Sequence, residues 1–178
     1  MIEVELRSFI TKEQHDTLIA FFKKESKMFS TDEQVTYYFN APVDVRLQRN
    51  NTHSKVWMKS GKMHSEAREE IEVLFEKDDF ASLEKMFLML GYSVKVKWFR
   101  ERSTFQWKGF EVCVDSNKGY GYILEIEKKT DCAGKDKALA EIKQLFSELK
   151  IPITPKKTFD SKYQNYLKNW KKLTGGEQ

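Results

Sequence analysis

A two-residue rhythm runs through most of this chain, and it limits the fold more than any other feature. In the opening segment Ile2, Val4 and Leu6 point one way while Glu3, Glu5 and Arg7 point the other. The same division returns further on. Arg46 and Gln48 oppose Val45 and Leu47, and Lys55, Trp57 and Lys59 oppose Val56 and Met58. Arg68, Glu70 and Glu72 oppose Ile71, Val73 and Phe75, while Arg100 and Arg102 share a face. Glu111, Cys113 and Asp115 oppose Val112 and Val114, and Glu125, Glu127 and Lys129 oppose Leu124 and Ile126. A chain written this way builds a sheet with one aliphatic face and one face of mixed charge.

Turn and helix signals punctuate the strands. After the first strand, Thr11 is placed to cap a helix from Lys12 to about Glu25. Strands are expected at Val35–Phe39, Val43–Arg49, Lys55–Lys59 and Arg68–Phe75, with a loop over 61–67. A helix over about Asp79 to Leu90 carries an apolar stripe of Phe80, Leu83, Met86, Phe87 and Leu90, and stops at Gly91. Strands Val94–Trp107, Phe110–Asp115 and Tyr122–Lys129 follow, then a helix over about Lys135 to Leu149. A Pro152–Pro155 connector leads to a last helix, about Asp160 to Leu173. No repeat, linker or boundary interrupts residues 1–178, so the expectation is a single α+β domain.

Two arrangements accommodate such strands. One is an antiparallel sheet with a wet face, its helices on the apolar face. The other is a closed eight-stranded barrel with helices packed on the outside, which turns the charges inward. Gathering carboxylates and guanidiniums inside is costly unless they pair with each other and with a bound ion or anion.

Composition narrows the chemistry. The 31 basic and 27 acidic side chains are interleaved at a net charge of +4, which argues against a basic nucleic-acid surface. Two cysteines, Cys113 and Cys132, are too few for a disulfide scaffold or a thiolate zinc site, and His15, His53 and His64 lack ligand spacing. Any metal is therefore expected to be hard and oxygen-ligated. No apolar run has membrane-spanning length and the chain opens on a charged strand, so no membrane contact and a cytoplasmic location are expected.

In the order of its charged elements, the chain resembles the CYTH superfamily of triphosphate tunnel metalloenzymes, which includes class IV adenylyl cyclases, thiamine triphosphatases and tripolyphosphatases. Glu3, Glu5 and Arg7 stand where the family has Glu-x-Glu-x-Lys, and Val45-Arg46-Leu47-Gln48 fits the first half of its Leu-Arg-hydrophobic-Arg pattern. Lys59, the triplet Arg68, Glu70 and Glu72, the pair Arg100 and Arg102, Asp115, and Gly121 followed by Glu125 and Glu127 complete the match. Arg7 replaces a lysine and Gln48 an arginine, which bears on substrate class.

The resemblance implies the closed tunnel barrel and a division of labour within it. Glu3, Glu5, Asp115, Glu125 and Glu127 would hold Mg²⁺ or Mn²⁺. Arg7, Arg46, Gln48, Lys59, Arg68, Arg100 and Arg102 would bind the substrate phosphates. Glu3, Glu5, Arg102 and Glu125 would carry catalysis. Glu70 and Glu72 would be further ligands or orient the basic residues. Outside the family match, Lys55 reads as rim, Trp98, Trp107 and Trp170 as packing, His53 and His64 as solvated loop residues, and Cys113 as a small buried filler. Trp57 reads as wall or core, or as a stacking surface for a base. The expected activity is divalent-metal-dependent hydrolysis of a small-molecule triphosphate, inorganic or organic. The alternatives are a class IV adenylyl cyclase, making cyclic AMP and pyrophosphate, and a non-catalytic binder of polyphosphate or nucleotide. A monomer or a homodimer is equally compatible with the sequence.

Overall fold

The computed structural model describes residues 2–27, 29–59 and 70–176. Its strands are β1 (Ile2–Ile10), β2 (Phe29–Phe39), β3 (Asp44–Arg49), β4 (His53–Lys59), β5 (Glu70–Glu76), β6 (Val94–Trp107), β7 (Phe110–Asn117) and β8 (Gly121–Thr130). Its helices are α1 (Lys12–Glu25), α2 (Phe80–Met89), α3 (Lys135–Glu148) and α4 (Lys156–Leu173), with a 3-10 turn at Lys77–Asp79 leading into α2. The fold is thus α+β, with an eight-stranded antiparallel sheet in the order β1-β8-β7-β6-β2-β3-β4-β5. No helix among the described residues is long and apolar enough to cross a membrane.

Of the expected closed barrel, the structure gives the eight antiparallel strands; among the described residues β1 and β5 stand at the two ends of the strand order, and no pairing between them is present. Closure needs free backbone groups along both end strands. Toward the end of β1 that edge is already taken by the connector before α4. The Phe9 amide donates to Thr154 Oγ1 at 2.9 Å, and Ser8 Oγ donates to the Pro152 carbonyl.

By internal contacts the chain divides into two compact units, Met1–Thr31 with Glu101–Gln178, and Asp32–Arg100. In the first, the even-numbered aliphatics of β1, β7 and β8 form the core with α1 and α3. Val4, Val112, Val114, Leu124 and Ile126 pack with Leu18, Phe22, Ile142 and Phe146. Burying each such side chain contributes about 1.5–3 kcal/mol, which settles which face of these strands turns away from solvent. The start of α1 is fixed as its sequence suggests: Gln14 N donates to Thr11 Oγ1 at 3.2 Å, and Thr11 N to Gln14 Oε1 at 2.9 Å. At the far end of β1, Phe9 stacks on Phe159 of α4 with centroids 4.5 Å apart, and Tyr120 meets Tyr166 edge-on at 5.6 Å. A Cβ on Gly119 would come within 2.8 Å of Leu173, so only glycine lets the β7–β8 turn approach α4 this closely.

In the second unit, α2 lays Phe80, Leu83 and Phe87 on Phe39, Val45, Leu47, Val56 and Phe75. Phe39 and Phe87 stack at 4.6 Å. In the first unit the helices cover the aliphatic side of the strands; in the second α2 covers part of it, and Ile71 and Val73 on β5 stay exposed.

Candidate active site

Register brings the charged residues of the first unit together. Pairing of β1 with β8 sets Glu5 opposite Glu127, Arg7 opposite Glu125 and Glu3 opposite Lys129. Pairing of β7 with β8 sets Glu111 opposite Glu127 and Cys113 opposite Glu125. The β6–β7 connection is a two-residue turn, Lys108 and Gly109, with φ of 52° and 80°. This left-handed pair matches the twist of a hairpin and fixes its register. Thr104 therefore meets Cys113 at 3.7 Å, and Arg102 reaches Asp115.

The five acids expected to bind metal fall into two groups. Glu3, Glu5 and Glu127 each offer a carboxylate oxygen within 4.8 Å of the others. Burial is the first reason that Glu127 is pushed up to about 7, and Glu3, Glu125, Glu111 and Glu5 push the same way. Glu5 is raised too, chiefly by burial; Arg7 opposes the rise while Glu125 and Glu3 reinforce it. This is an oxygen-only donor set with more negative charge than its surroundings neutralise, and it fits a hard divalent cation such as Mg²⁺ or Mn²⁺.

Asp115 and Glu125 do not join that triad. Asp115, only 2% exposed, takes the Arg102 fork in a bidentate grip, Nε to Oδ1 at 2.9 Å and Nη2 to Oδ2 at 2.7 Å. Arg102 Nη2 also donates to Glu125 Oε1 at 3.0 Å. Burial works against the Arg102 charge, but Glu125 and Asp115 outweigh it and hold the guanidinium above its ordinary pKa. Its other amino group, Nη1, takes no partner among the described residues, which leaves one donor edge for a ligand. Arg7 stands between the groups. Its Nη2 lies 2.9 Å from Glu5 Oε1 and its Nε 3.8 Å from Glu125 Oε2. Cys113 fills the wall beside them as a neutral thiol, raised to about 12 by burial, against the pull of Arg102 and with the push of Glu125 and Asp115.

In the second unit the expected phosphate ligands are already engaged. Arg46 grips Asp44 in bidentate fashion at 2.9 and 2.7 Å, its guanidinium 4.5 Å from the Tyr38 ring centroid and 5.6 Å from that of Trp57. Gln48 is buried and donates to Thr36 Oγ1 at 2.9 Å. Arg100 donates through Nε to Gln34 Oε1 at 2.9 Å, and through Nη2 to the same oxygen. Lys55 pairs with Glu72 at 2.7 Å, in keeping with a place at the rim. Arg68 lies outside the described residues, as do the side chains of Lys59 and Glu70.

Three participants were missed by sequence reasoning. Glu111 faces Glu127 across the pair, and its position in the row with Cys113 and Asp115 was a usable signal. Asp44 sits two residues before Arg46 on the same face, which alternation alone reveals. Gln34 carried no signal, because the expected strand began at Val35 and left it unplaced.

Comparison with known proteins bears on the family and the fold. The family model for the CYTH domain matches residues 1–172, running through both units. No curated protein matches the chain. Among solved structures, a protein of Pyrococcus horikoshii superposes with a TM-score of 0.70 at 20% identity, covering 87% of this chain and 96% of its own. A candidate adenylate cyclase of Vibrio parahaemolyticus superposes at 0.66 with 16% identity, covering 90% and 98%. A candidate adenylyl cyclase of Hippeastrum, described as having a dominant triphosphatase activity, superposes at 0.61 with 20% identity, covering 84% and 88%. At these identities the structures attest the fold.

Proposed function

Since this chain belongs to the CYTH family, whose members are triphosphatases or adenylyl cyclases, we propose that it hydrolyses a small-molecule triphosphate with the help of a divalent cation. The observation that carries this reading is the convergence of the Glu3, Glu5 and Glu127 oxygens within 4.8 Å, next to two arginines. Such a triad would suit a divalent cation, and guanidiniums suit phosphate oxygens.

In this reading Glu3, Glu5 and Glu127 would hold Mg²⁺ or Mn²⁺, which would supply charge neutralisation for the phosphates and activation of a nucleophilic water. Arg102 presents Nη1 to a phosphate oxygen. Its other edge is held by Asp115 and Glu125, so that little reorganisation is needed as charge develops. Asp115 and Glu125 are thus assigned as positioning residues for Arg102, in place of the metal-ligand role the resemblance implied. Arg7 contributes a second guanidinium beside the triad. Arg46, Gln48, Lys59, Arg68 and Arg100 are proposed phosphate ligands on the family match alone.

Product analysis tests the proposal. Tripolyphosphate, ATP and thiamine triphosphate are each incubated with the protein and Mg²⁺ or Mn²⁺, and the products are separated. Orthophosphate release that stops in chelator is expected. Cyclic AMP with pyrophosphate from ATP establishes the cyclase instead, the activity named for the Vibrio neighbour. Tight binding without turnover identifies a binder.

A further inference from the structure

Among the described residues, Arg7 is the one cation that touches both acidic groups. Its Nη2 pairs with Glu5 Oε1 at 2.9 Å, and its Nε lies 3.8 Å from Glu125 Oε2. Glu5 also belongs to the metal-fitting triad. Arg7 is therefore the local counter-charge of a carboxylate that a divalent cation would claim. Of the two carboxylates beside it, Glu125 already has Arg102 at 3.0 Å, and Glu5 has no other ion-pair partner among the described residues. Half of the Arg7 side chain is exposed, at 51%, whereas that of Arg102 is 17% exposed and held on three hydrogen bonds. Arg7 can leave its partners for solvent at little cost, whereas moving Arg102 would break three hydrogen bonds in a buried site.

We infer that Arg7 couples cation binding to triphosphate binding: in the cation-free protein it neutralises Glu5, and cation entry displaces it and frees its guanidinium for a phosphate. This rests on the proposed reading of the site and adds an order of events to it. A divalent cation and Arg7 compete for Glu5. Once the cation is in place, the guanidinium is repelled by it and is drawn to the most negative neighbour left, the bound phosphate. Cation and triphosphate then favour each other's binding, and by linkage the coupling is the same from either side. A lysine at this position would offer a compact point charge; the fork of Arg7 can hold Glu5 and Glu125 together, and afterwards two phosphate oxygens.

The coupling is measured without turnover. Titrated with Mn²⁺ alone, the Arg7→Ala protein is expected to bind on the order of tenfold more tightly than wild type, because the competitor for Glu5 is gone. Lys129→Ala, which removes an exposed cation opposite Glu3, is expected to shift affinity about twofold. Titrated with inorganic tripolyphosphate in chelator, Arg7→Ala is expected to match wild type, since Arg7 is engaged. Glu5→Gln is expected to bind several-fold more tightly by releasing it, and the gain is expected to vanish in the Glu5→Gln/Arg7→Ala double variant. The inference is overturned if Arg7→Ala leaves Mn²⁺ affinity unchanged or weaker, if Lys129→Ala matches it, or if the Glu5→Gln gain survives without Arg7. Wild-type protein that binds neither Mn²⁺ nor tripolyphosphate overturns the reading of the site itself, and this inference with it. Circular dichroism on each variant confirms that folded protein is being compared.

Discussion

Glu127 and Asp115 are carboxylates on adjacent strands of one sheet, yet their surroundings treat them in opposite ways. Asp115 is met by the Arg102 fork at 2.7 and 2.9 Å and is nearly sealed from water. Glu127 is met by Glu3, Glu5, Glu111 and Glu125, and is pushed up to about 7. The first is a finished ion pair whose partners satisfy each other. The second is unfinished, and in the proposed reading a cation would complete it. Charge on a face is therefore a poor guide to function until it is known which charges have found a partner.

The largest effect expected from breaking this contrast is at Arg102. Arg102→Ala strands Asp115 and Glu125 in a buried site, and losing one member of a buried pair costs about 3–5 kcal/mol. The three hydrogen bonds of Arg102 tie it to stability as well as to the proposed turnover. Urea denaturation reads the stability loss. Assays on the folded fraction read turnover, expected to fall at least 100-fold. Near-wild-type stability would show that Asp115 and Glu125 do not depend on this arginine.

Glu127→Gln works in the opposite direction. It removes one carboxylate of the proposed metal triad, so Mn²⁺ affinity is expected to drop more than tenfold, while the cation-free protein is expected to gain stability at alkaline pH. Calorimetric titration measures the first effect and thermal unfolding in chelator the second. A variant that loses stability at pH 8 would contradict the unfinished character of the site.

The pH dependence follows from the same residue. Glu127 titrates at about 7 in the folded protein against a usual 4.5, so between these values the folded state holds more proton than the unfolded chain. Its contribution is intact below about pH 4.5, declines as pH rises through that window, and is lost above about pH 7. In chelator, the unfolding midpoint of wild type measured against that of Glu127→Gln is expected to fall from pH 5 to pH 8. Saturating Mg²⁺ should abolish the trend, because a bound cation takes the place of the proton.

How far sequence reasoning reached follows from which physical rules are local. β6 is found at Val94–Trp107, as expected, because a long alternating run ends at a two-residue turn with glycine. β2 begins at Phe29 rather than Val35, since Ser30 to Gln34 is polar on both faces and gives alternation nothing to show. α4 begins at Lys156 rather than near Asp160: Pro155, just before the first turn, was a start signal left unused. The family resemblance named the acids and arginines but grouped five acids as one metal set. Their division depends on cross-strand register between residues more than 100 positions apart, such as Arg7 with Glu125, and on which carboxylate a guanidinium fork can reach. Neither is written in local pattern. Barrel closure was not legible for a similar reason, since alternation says which way side chains point and nothing about what occupies the edge of the first strand.

The smallest expected effect concerns the residue between the two acidic groups. Cys113 is buried opposite Glu125, with its thiol raised to about 12, while Cys132 is exposed. A thiolate there would add a further negative charge next to Glu125 and compete for Arg102; burial, Glu125 and Asp115 all forbid it. At pH 8 a thiol-specific disulfide reagent is expected to titrate one sulfhydryl in the native protein and two in denaturant. Cys113→Ala should leave Mn²⁺ affinity within about twofold of wild type, as a neutral filler contributes packing alone. Rapid modification of both sulfhydryls in the native state would mean that the wall between the finished pair and the unfinished triad admits solvent, and the separation of the two acidic groups would then have to be read as a feature of one conformation.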